Sequence, residues 1–200
     1  MNRTKKFALN TTSAAALQVI TMIAGFITPR IMLTCYGSEI NGLVSSVSQF
    51  VSYFTIVEAG LTNAVVYALY KPLAVKDTKS IAGIVRAAQK FYYQTGGIFL
   101  FLVAILAIVY PIYIKTDILA PGLISILVFV SAVNSALDFF ALAKYSAILT
   151  ADQKAYVKNV GTIIQVVVNT FIVVLLAGAN TNIVLLKAIA LLSIFIRSLF

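Results

Sequence analysis

Histidine and tryptophan are missing from this 200-residue chain, and cysteine occurs once, as Cys35. Without histidine there is no Ser-His-Asp or Cys-His nucleophile. A lone thiol allows neither an internal disulfide nor a Cys/His metal cluster. Charge is scarce too: Asp, Glu, Lys and Arg make up 10% of the residues, where a soluble domain carries about a quarter. No P-loop, Gly-rich dinucleotide fingerprint or H-E-x-x-H run occurs. The reading is therefore of a chain that is not an enzyme, binds no cofactor or metal, and carries no nucleotide site to drive an ATP pump. Its loops are too short for a glycosyltransferase domain.

What the chain has is hydrocarbon. Hydrophobic residues make up 61% of it, and mean hydropathy is +1.00. A membrane-crossing helix needs about 20 mostly apolar residues. By that rule helices are predicted at roughly 7–33, 40–70, 91–114, 118–144, 159–178 and 183–200, a single transmembrane bundle over 1–200. The basic start resembles a signal peptide, but its apolar run reaches about Leu33, too long for a signal core, with no clean cleavage site after it. Breaks fall at 36–39, 71–90, 115–117, 150–158 and 178–182. Tyr92, Tyr93, Tyr110 and Tyr113 bracket the third span as interfacial anchors.

The net charge of +9 invites a nucleic-acid reading, which the placement of the charges excludes, because they flank the apolar runs. Arg3, Lys5 and Lys6 precede span one, and Lys71, Lys76, Lys79, Arg86 and Lys90 lie between spans two and three. Lys144, Lys154 and Lys158 separate spans four and five, and Arg197 closes span six. The opposite loops hold Lys115 alone. This asymmetry predicts a multi-pass protein of the plasma (inner) membrane with both termini cytoplasmic. The fold class is thus all-α integral membrane, a six-transmembrane-helix bundle, N-in/C-in. Between spans two and three, Ile81, Ile84, Val85 and Ala88 recur at helical spacing. This basic segment either lies flat on the anionic inner leaflet or forms an ordinary loop.

Polar groups inside the spans point to function, since charged groups at mid-bilayer tend to face protein or water. On a wheel of about 100° per residue, Asn41, Ser45, Ser48, Gln49, Ser52, Thr55, Thr62 and Asn63 share an arc of roughly 140°. Glu58 lies about 40° beyond its edge. Hydroxyls alone fit helix glue; the added amides and carboxylate favour a wet cavity. In span one, Asn10, Thr11, Gln18, Thr21 and Thr28 share a face with Gly25. Arg30 lies about 120° from Gln18. It either reaches around past Pro29 or snorkels to the outer interface. Span four holds Ser131, Asn134, Ser135 and Asp138, span five Thr162, Gln165 and Asn169, and Lys187 lies a turn inside span six.

The candidate substrate-binding residues are therefore Arg30, Lys187, Gln18, Gln49, Ser52 and Asn63. Cationic side chains suit a phosphate-bearing substrate. Glu58 and Asp138 are candidates for coupling to H+ or Na+ or for gating, the alternative being static ion pairs with basic neighbours.

Three runs carry a resemblance. Pro29-Arg30-Ile31-Met32-Leu33 followed by Tyr36-Gly37-Ser38-Glu39-Ile40-Asn41-Gly42-Leu43 looks like the "R…LG-x-E-x-x-G-L" junction of polysaccharide repeat-unit flippases. Those belong to the multidrug/oligosaccharidyl-lipid/polysaccharide exporter superfamily. Glu58-Ala59-Gly60-Leu61-Thr62-Asn63-Ala64 is similar to its "E-x-G-[LI]-x-x-A" segment. Tyr70-Lys71-Pro72-Leu73-Ala74 with Asp77 resembles its "LYKPLA…D" entry to the next helix. The likeness covers roughly residues 1–120, and Cys35-Tyr36-Gly37 departs from the more usual Leu-Gly.

The resemblance implies two pseudo-symmetric six-helix bundles, of which this chain would be the N-terminal half. Its partners would be membrane lipids and either a missing C-terminal half or a second copy. It also implies alternating-access flipping of polyprenyl-pyrophosphate-linked oligosaccharide through a cationic cavity, with ion coupling in some members. Arg30, within the likeness, would meet the pyrophosphate, as would Lys187, which lies outside it. Glu58 would couple or gate. The alternatives are a multidrug/cation antiporter of the same fold and a non-transporting membrane subunit or channel.

Overall fold

In the computed structural model, the described residues are 3–113, 120–137, 140, 142–179 and 181–198. The side chains of residues 3, 54–59, 134, 135, 196 and 198 lie outside the description. Seven helices are seen there: α1 (Arg3–Val75), α2 (Thr78–Tyr113), α3 (Pro121–Leu137), α4 (Ala143–Ala151), α5 (Ala155–Gly178), α6 (Ile183–Ala190) and α7 (Leu192–Ser198). No strand occurs among the described residues. Three helical stretches are long and apolar enough to cross a membrane: Thr4–Tyr53 within α1, Thr78–Tyr113 and Ala155–Gly178. Pro121–Val133 and Ile183–Phe195 are apolar but shorter.

The helix α1 is two arms joined at one residue. Gly37 has φ 80° and ψ 174°, and helical geometry resumes on either side. Such a backbone is open essentially to glycine alone. The result is a chain reversal. Lys6 at the start of the first arm meets Asp152, just beyond α4. Val65, Val66 and Leu69 near the end of the second arm pack with Ala143, Ala147 and Ala151 of α4. Each arm rises roughly 1.5 Å per residue, so the two run back to the same end of the bundle.

Two apolar clusters hold the helices together. The larger joins Met32, Leu43, Val44, Val47 and Val51 of α1 to Phe99 and Val103 of α2, Leu127 and Val128 of α3, Val173 of α5 and Leu186 of α6. The smaller lies at the end where α1 finishes and α2 begins, around Leu69, Tyr92 and Ala147. Polar ties join the helices as well. Ser125 Oγ donates to the Ala107 carbonyl at 2.7 Å, and the Thr62 and Tyr92 hydroxyls lie 3.0 Å apart.

Element boundaries depart from the apolar windows in three informative places. The expected loop at 36–39 is a break at Gly37 alone. The segment after Lys76 is no separate surface helix but the first turns of α2, which runs unbroken from Thr78 to Tyr113. Ile81, Ile84 and Val85 pack against the smaller core cluster, and Ala88 belongs to it. The apolar face read as lipid-seeking has found protein instead. Asp77 caps this helix: its carboxylate accepts from the Lys79 and Ser80 amides at 3.1 Å and from Ser80 Oγ at 2.6 Å. Finally, the last apolar run divides at Leu191 into α6 and α7.

A methyl group at position 37 meets no atom within 4 Å, so the cost of Gly37→Ala is purely conformational, about 1–3 kcal/mol. Thermal unfolding in detergent is expected to show a lower midpoint for Gly37→Ala and an unchanged one for the exposed Ser38→Ala. Equal midpoints would mean that the reversal is not what Gly37 secures.

Candidate functional site

The first arm of α1 packs along α5, and the pair is tied by polar groups at one end. Lys6 Nζ donates to the Asp152 carbonyl at 2.8 Å and to Asp152 Oδ1 at 3.2 Å. Lys154 Nζ pairs with Asp152 Oδ2 at 2.6 Å. Asn10 Nδ2 donates to the Gln153 carbonyl at 3.0 Å, while Asn10 Oδ1 accepts from the Tyr156 amide at 2.8 Å. One turn further, Asn159 Nδ2 donates to Ser13 Oγ at 3.0 Å. At the other end the Tyr36 hydroxyl donates to the Thr181 carbonyl.

Between these ties lies a cleft of about 440 Å³. The first arm of α1 contributes Thr21, Ala24, Gly25, Thr28 and Pro29. Helix α5 contributes Gln165, Val166, Asn169 and Thr170, and α7 contributes Ser193. Residues 21, 25 and 28 recur at i, i+4 and i+7, and 165 and 169 at i and i+4, so each set occupies one helix face. Gly25 leaves open space, for a Cβ there would meet nothing within 4 Å. Arg197 Nη1 donates to Gln165 Oε1 at 3.2 Å, so a guanidinium is held on a side chain of the cleft wall, although Arg197 does not itself line the cleft. Ser193 is satisfied by the Ala190 carbonyl at 2.7 Å. The Thr170 hydroxyl is buried without a hydrogen-bond partner among the described residues.

A second, apolar groove of about 350 Å³ lies along the same two helices, lined by Ile20, Ile23, Ala24, Ile27, Val166, Val167, Thr170, Phe171 and Val174. Ala24, Val166 and Thr170 line both spaces.

The residues singled out from sequence fall elsewhere. Arg30 is exposed just beyond Pro29 and does not line the cleft; Gln18 is exposed nearer the tied end. Gln49, Ser52 and Asn63 are exposed on the second arm, where Val44, Val47 and Val51 are buried. Ser48 and Ser52 donate to the carbonyls four residues back, at 2.8 Å each, so their hydroxyls are satisfied on their own helix. Lys187 sits half-buried on α6 next to the core residue Leu186. The Glu58 side chain, the side chains of Thr55, Asn134 and Ser135, all of Asp138, and the 115–117 connection lie outside the described residues.

What the structure brings together are the span-one and span-five polar faces, through Thr21, Gly25, Thr28, Gln165 and Asn169. Sequence reasoning recognised those faces but chose only Gln18 from them, which does not line the cleft. It missed Arg197, counted as a flanking charge, and Thr170 and Ser193, which are ordinary hydroxyls in apolar runs. A cleft lined by hydroxyls and amides can hydrogen-bond a polyhydroxylated molecule, and a guanidinium held on one of those amides has the chemistry to pair with a phosphate. No family model, curated protein or solved structure matches the chain.

The tie at Asp152 is sensitive to acid. The hydrogen bond from Lys154 is the largest effect and lowers its carboxyl from the ordinary value of 3.8; burial opposes it, and the hydrogen bond from Lys6 with the charges of both lysines adds to the lowering. Its folded-state pKa is depressed, so the contribution is complete above that ordinary value and is lost as pH falls through the lowered one. Hydrogen exchange is expected to show faster exchange over residues 155–160 as pH drops below 3.8, after correction for intrinsic rates. Asp152→Asn should flatten that dependence. A variant that keeps it would assign the acid effect to another group.

Proposed function

We propose that this chain is a six-span, N-in/C-in bundle of the plasma membrane, and that it forms one lobe of a transporter. The cargo of this reading is a polyprenyl-pyrophosphate-linked oligosaccharide repeat unit, flipped between leaflets by alternating access. One observation carries it: a polar cleft of about 440 Å³ opens between α1 and α5 in a bundle otherwise bound by apolar side chains. Hydroxyls and amides from Thr21, Thr28, Gln165 and Asn169 suit sugar hydroxyls. Arg197, held on Gln165, suits the diphosphate.

The span count draws support from α1. Its reversal at Gly37 gives two helical arms, each of which would cross once; α2, α3 with α4, α5, and α6 with α7 would supply the other four crossings. The orientation draws support from the polar ties. They place the basic N-terminus beside the α4–α5 turn, with Lys154 and Lys158. The row Ser45, Gln49, Ser52 and Asn63, exposed on the second arm, suits a surface turned toward a second lobe or second copy across a water-filled path. Glu58 and Asp138 would serve coupling to H+ or Na+.

Vesicles holding the full-length assembly should translocate a fluorescent polyprenyl-pyrophosphate sugar. Gly25→Trp, which fills the cleft from a position with free space around it, is expected to lower the rate at least tenfold while the protein remains folded by circular dichroism. Arg30→Ala should have a smaller effect than Arg197→Ala. An assembly that moves no such lipid, or a filled cleft that leaves the rate unchanged, would end this reading.

A further inference from the structure

The two spaces beside the α1–α5 seam differ in chemistry and share a wall. On one side are the hydroxyl and amide groups of Thr21, Thr28, Gln165 and Asn169, with Arg197 bonded to Gln165. On the other are Ile20, Ile23, Ile27, Val167, Phe171 and Val174. The wall between them is three residues, Ala24, Val166 and Thr170, two of them small. Thr170 also has the unpartnered hydroxyl. Apart from that group the groove is hydrocarbon, and it runs from Ile20 to Ile27, about 11 Å at 1.5 Å per residue.

We infer that the α1–α5 seam is a lateral binding site for a polyprenyl phosphate lipid, with its chain in the Ile23–Val167 groove and its anionic head in the Gln165–Asn169 cleft. This rests on the flippase reading and deepens it by naming where the lipid portion is held. Charge decides the polarity of the fit: the guanidinium is bonded to Gln165, which lines the polar side and not the apolar groove. Desolvation separates the two halves, since a phosphate on the apolar side would find no donor but the shared Thr170 hydroxyl, and a hydrocarbon chain on the polar side would strip water from the unpaired Asn169 amide. The seam itself is the passage. Ala24 presents a single methyl, and the Thr170 hydroxyl gains an acceptor when a phosphate ester oxygen reaches it. The two ends of the helix pair remain tied by Asn10 with Tyr156 and Tyr36 with Thr181, so opening is confined to the middle turns.

The test uses the full chain in liposomes with a polyprenyl phosphate bearing a diazirine on its head-proximal isoprene unit. Adducts are mapped by mass spectrometry, and sugar-lipid translocation is measured on the same vesicles. The expected result is labelling concentrated in 20–27 and 166–174. Unlabelled polyprenyl phosphate should compete for it, and a tenfold excess of phosphatidylglycerol should not. Ile23→Trp and Val167→Trp, at side chains 49% and 50% exposed, should each cut labelling at least fivefold without disturbing the core.

Labelling spread evenly over other apolar faces, such as Phe101 and Ile108 of α2, would overturn the proposal, as would equal competition by phosphatidylglycerol. The adduct map of the unsubstituted protein decides the matter even if a variant misfolds. Translocation with no label in the groove would refute the site and leave the flippase reading standing. Label in the groove with no translocation would support the site and refute flipping.

Discussion

A backbone conformation open to glycine turns a helix of 73 residues into a pair of antiparallel arms at Gly37. Everything else in the bundle is arranged around that reversal. Because the arms return to one end, Lys6 and Leu69 reach the same neighbourhood, one at Asp152 and the other beside Ala147. Because the turn takes one residue, few backbone groups are left without helical partners, as a hydrocarbon environment requires. The first arm is then delivered to α5 and the second to α2, α3 and α4, and the cleft lies along the first of these pairings.

That pairing is polar where the chain approaches its charged ends and loose where it is buried in the apolar middle. At the tied end Asn10 uses both its donor and its acceptor, and Asn159 finds Ser13. About three turns further on, the α1 side chains facing α5 shrink to Ala24 and Gly25. The helices no longer fill the space between them with their own side chains. Small residues usually let helices approach closely, but here no atom lies within 4 Å of a Cβ built on Gly25. The gap is therefore a vacancy rather than a contact.

Much of this was legible from the sequence. The apolar runs gave α5 to within a few residues, because Gly178-Ala179 and the Asn182 cap bound it on one side and Lys154 on the other. The polar faces of spans one and five were visible as periodicity and do meet. The start of α2 was left open between a surface helix and a loop for a physical reason: a basic helix with one apolar face looks the same whether that face meets lipid or protein. Here Leu69, Leu73 and Ala147 were waiting for Ile84 and Ala88. Arg30 and Lys187 were selected as rare charges within apolar runs, yet rarity says nothing about direction. Arg197 escaped notice because its position at a helix end made a flanking role sufficient. Its reach back to Gln165 depends on the division at Leu191, which no composition signal marks.

The second arm of α1 shows which polar residues carry information in such a bundle. Ser48 and Ser52 look like half of a hydrophilic stripe, but each returns its hydroxyl to a carbonyl one turn back. A helix can therefore bear these residues against lipid, cavity or protein alike. An Asn or Gln side chain has two donors and two acceptor positions and cannot discharge them on its own helix so easily. Amides are thus the discriminating groups. Those at the tied end or against Arg197 have partners: Asn10, Asn159 and Gln165. Gln49 and Asn169 have none among the described residues, one exposed on the second arm and the other on the cleft wall. In hydrocarbon each unsatisfied group costs several kcal/mol, roughly the contribution of a whole apolar side chain. Burial against acyl chains is the least stable placement for either, and contact with water, a sugar or a facing protein surface relieves both. The unpaired amides, more than the hydroxyl stripe around them, mark where a bundle of apolar helices needs a polar neighbour.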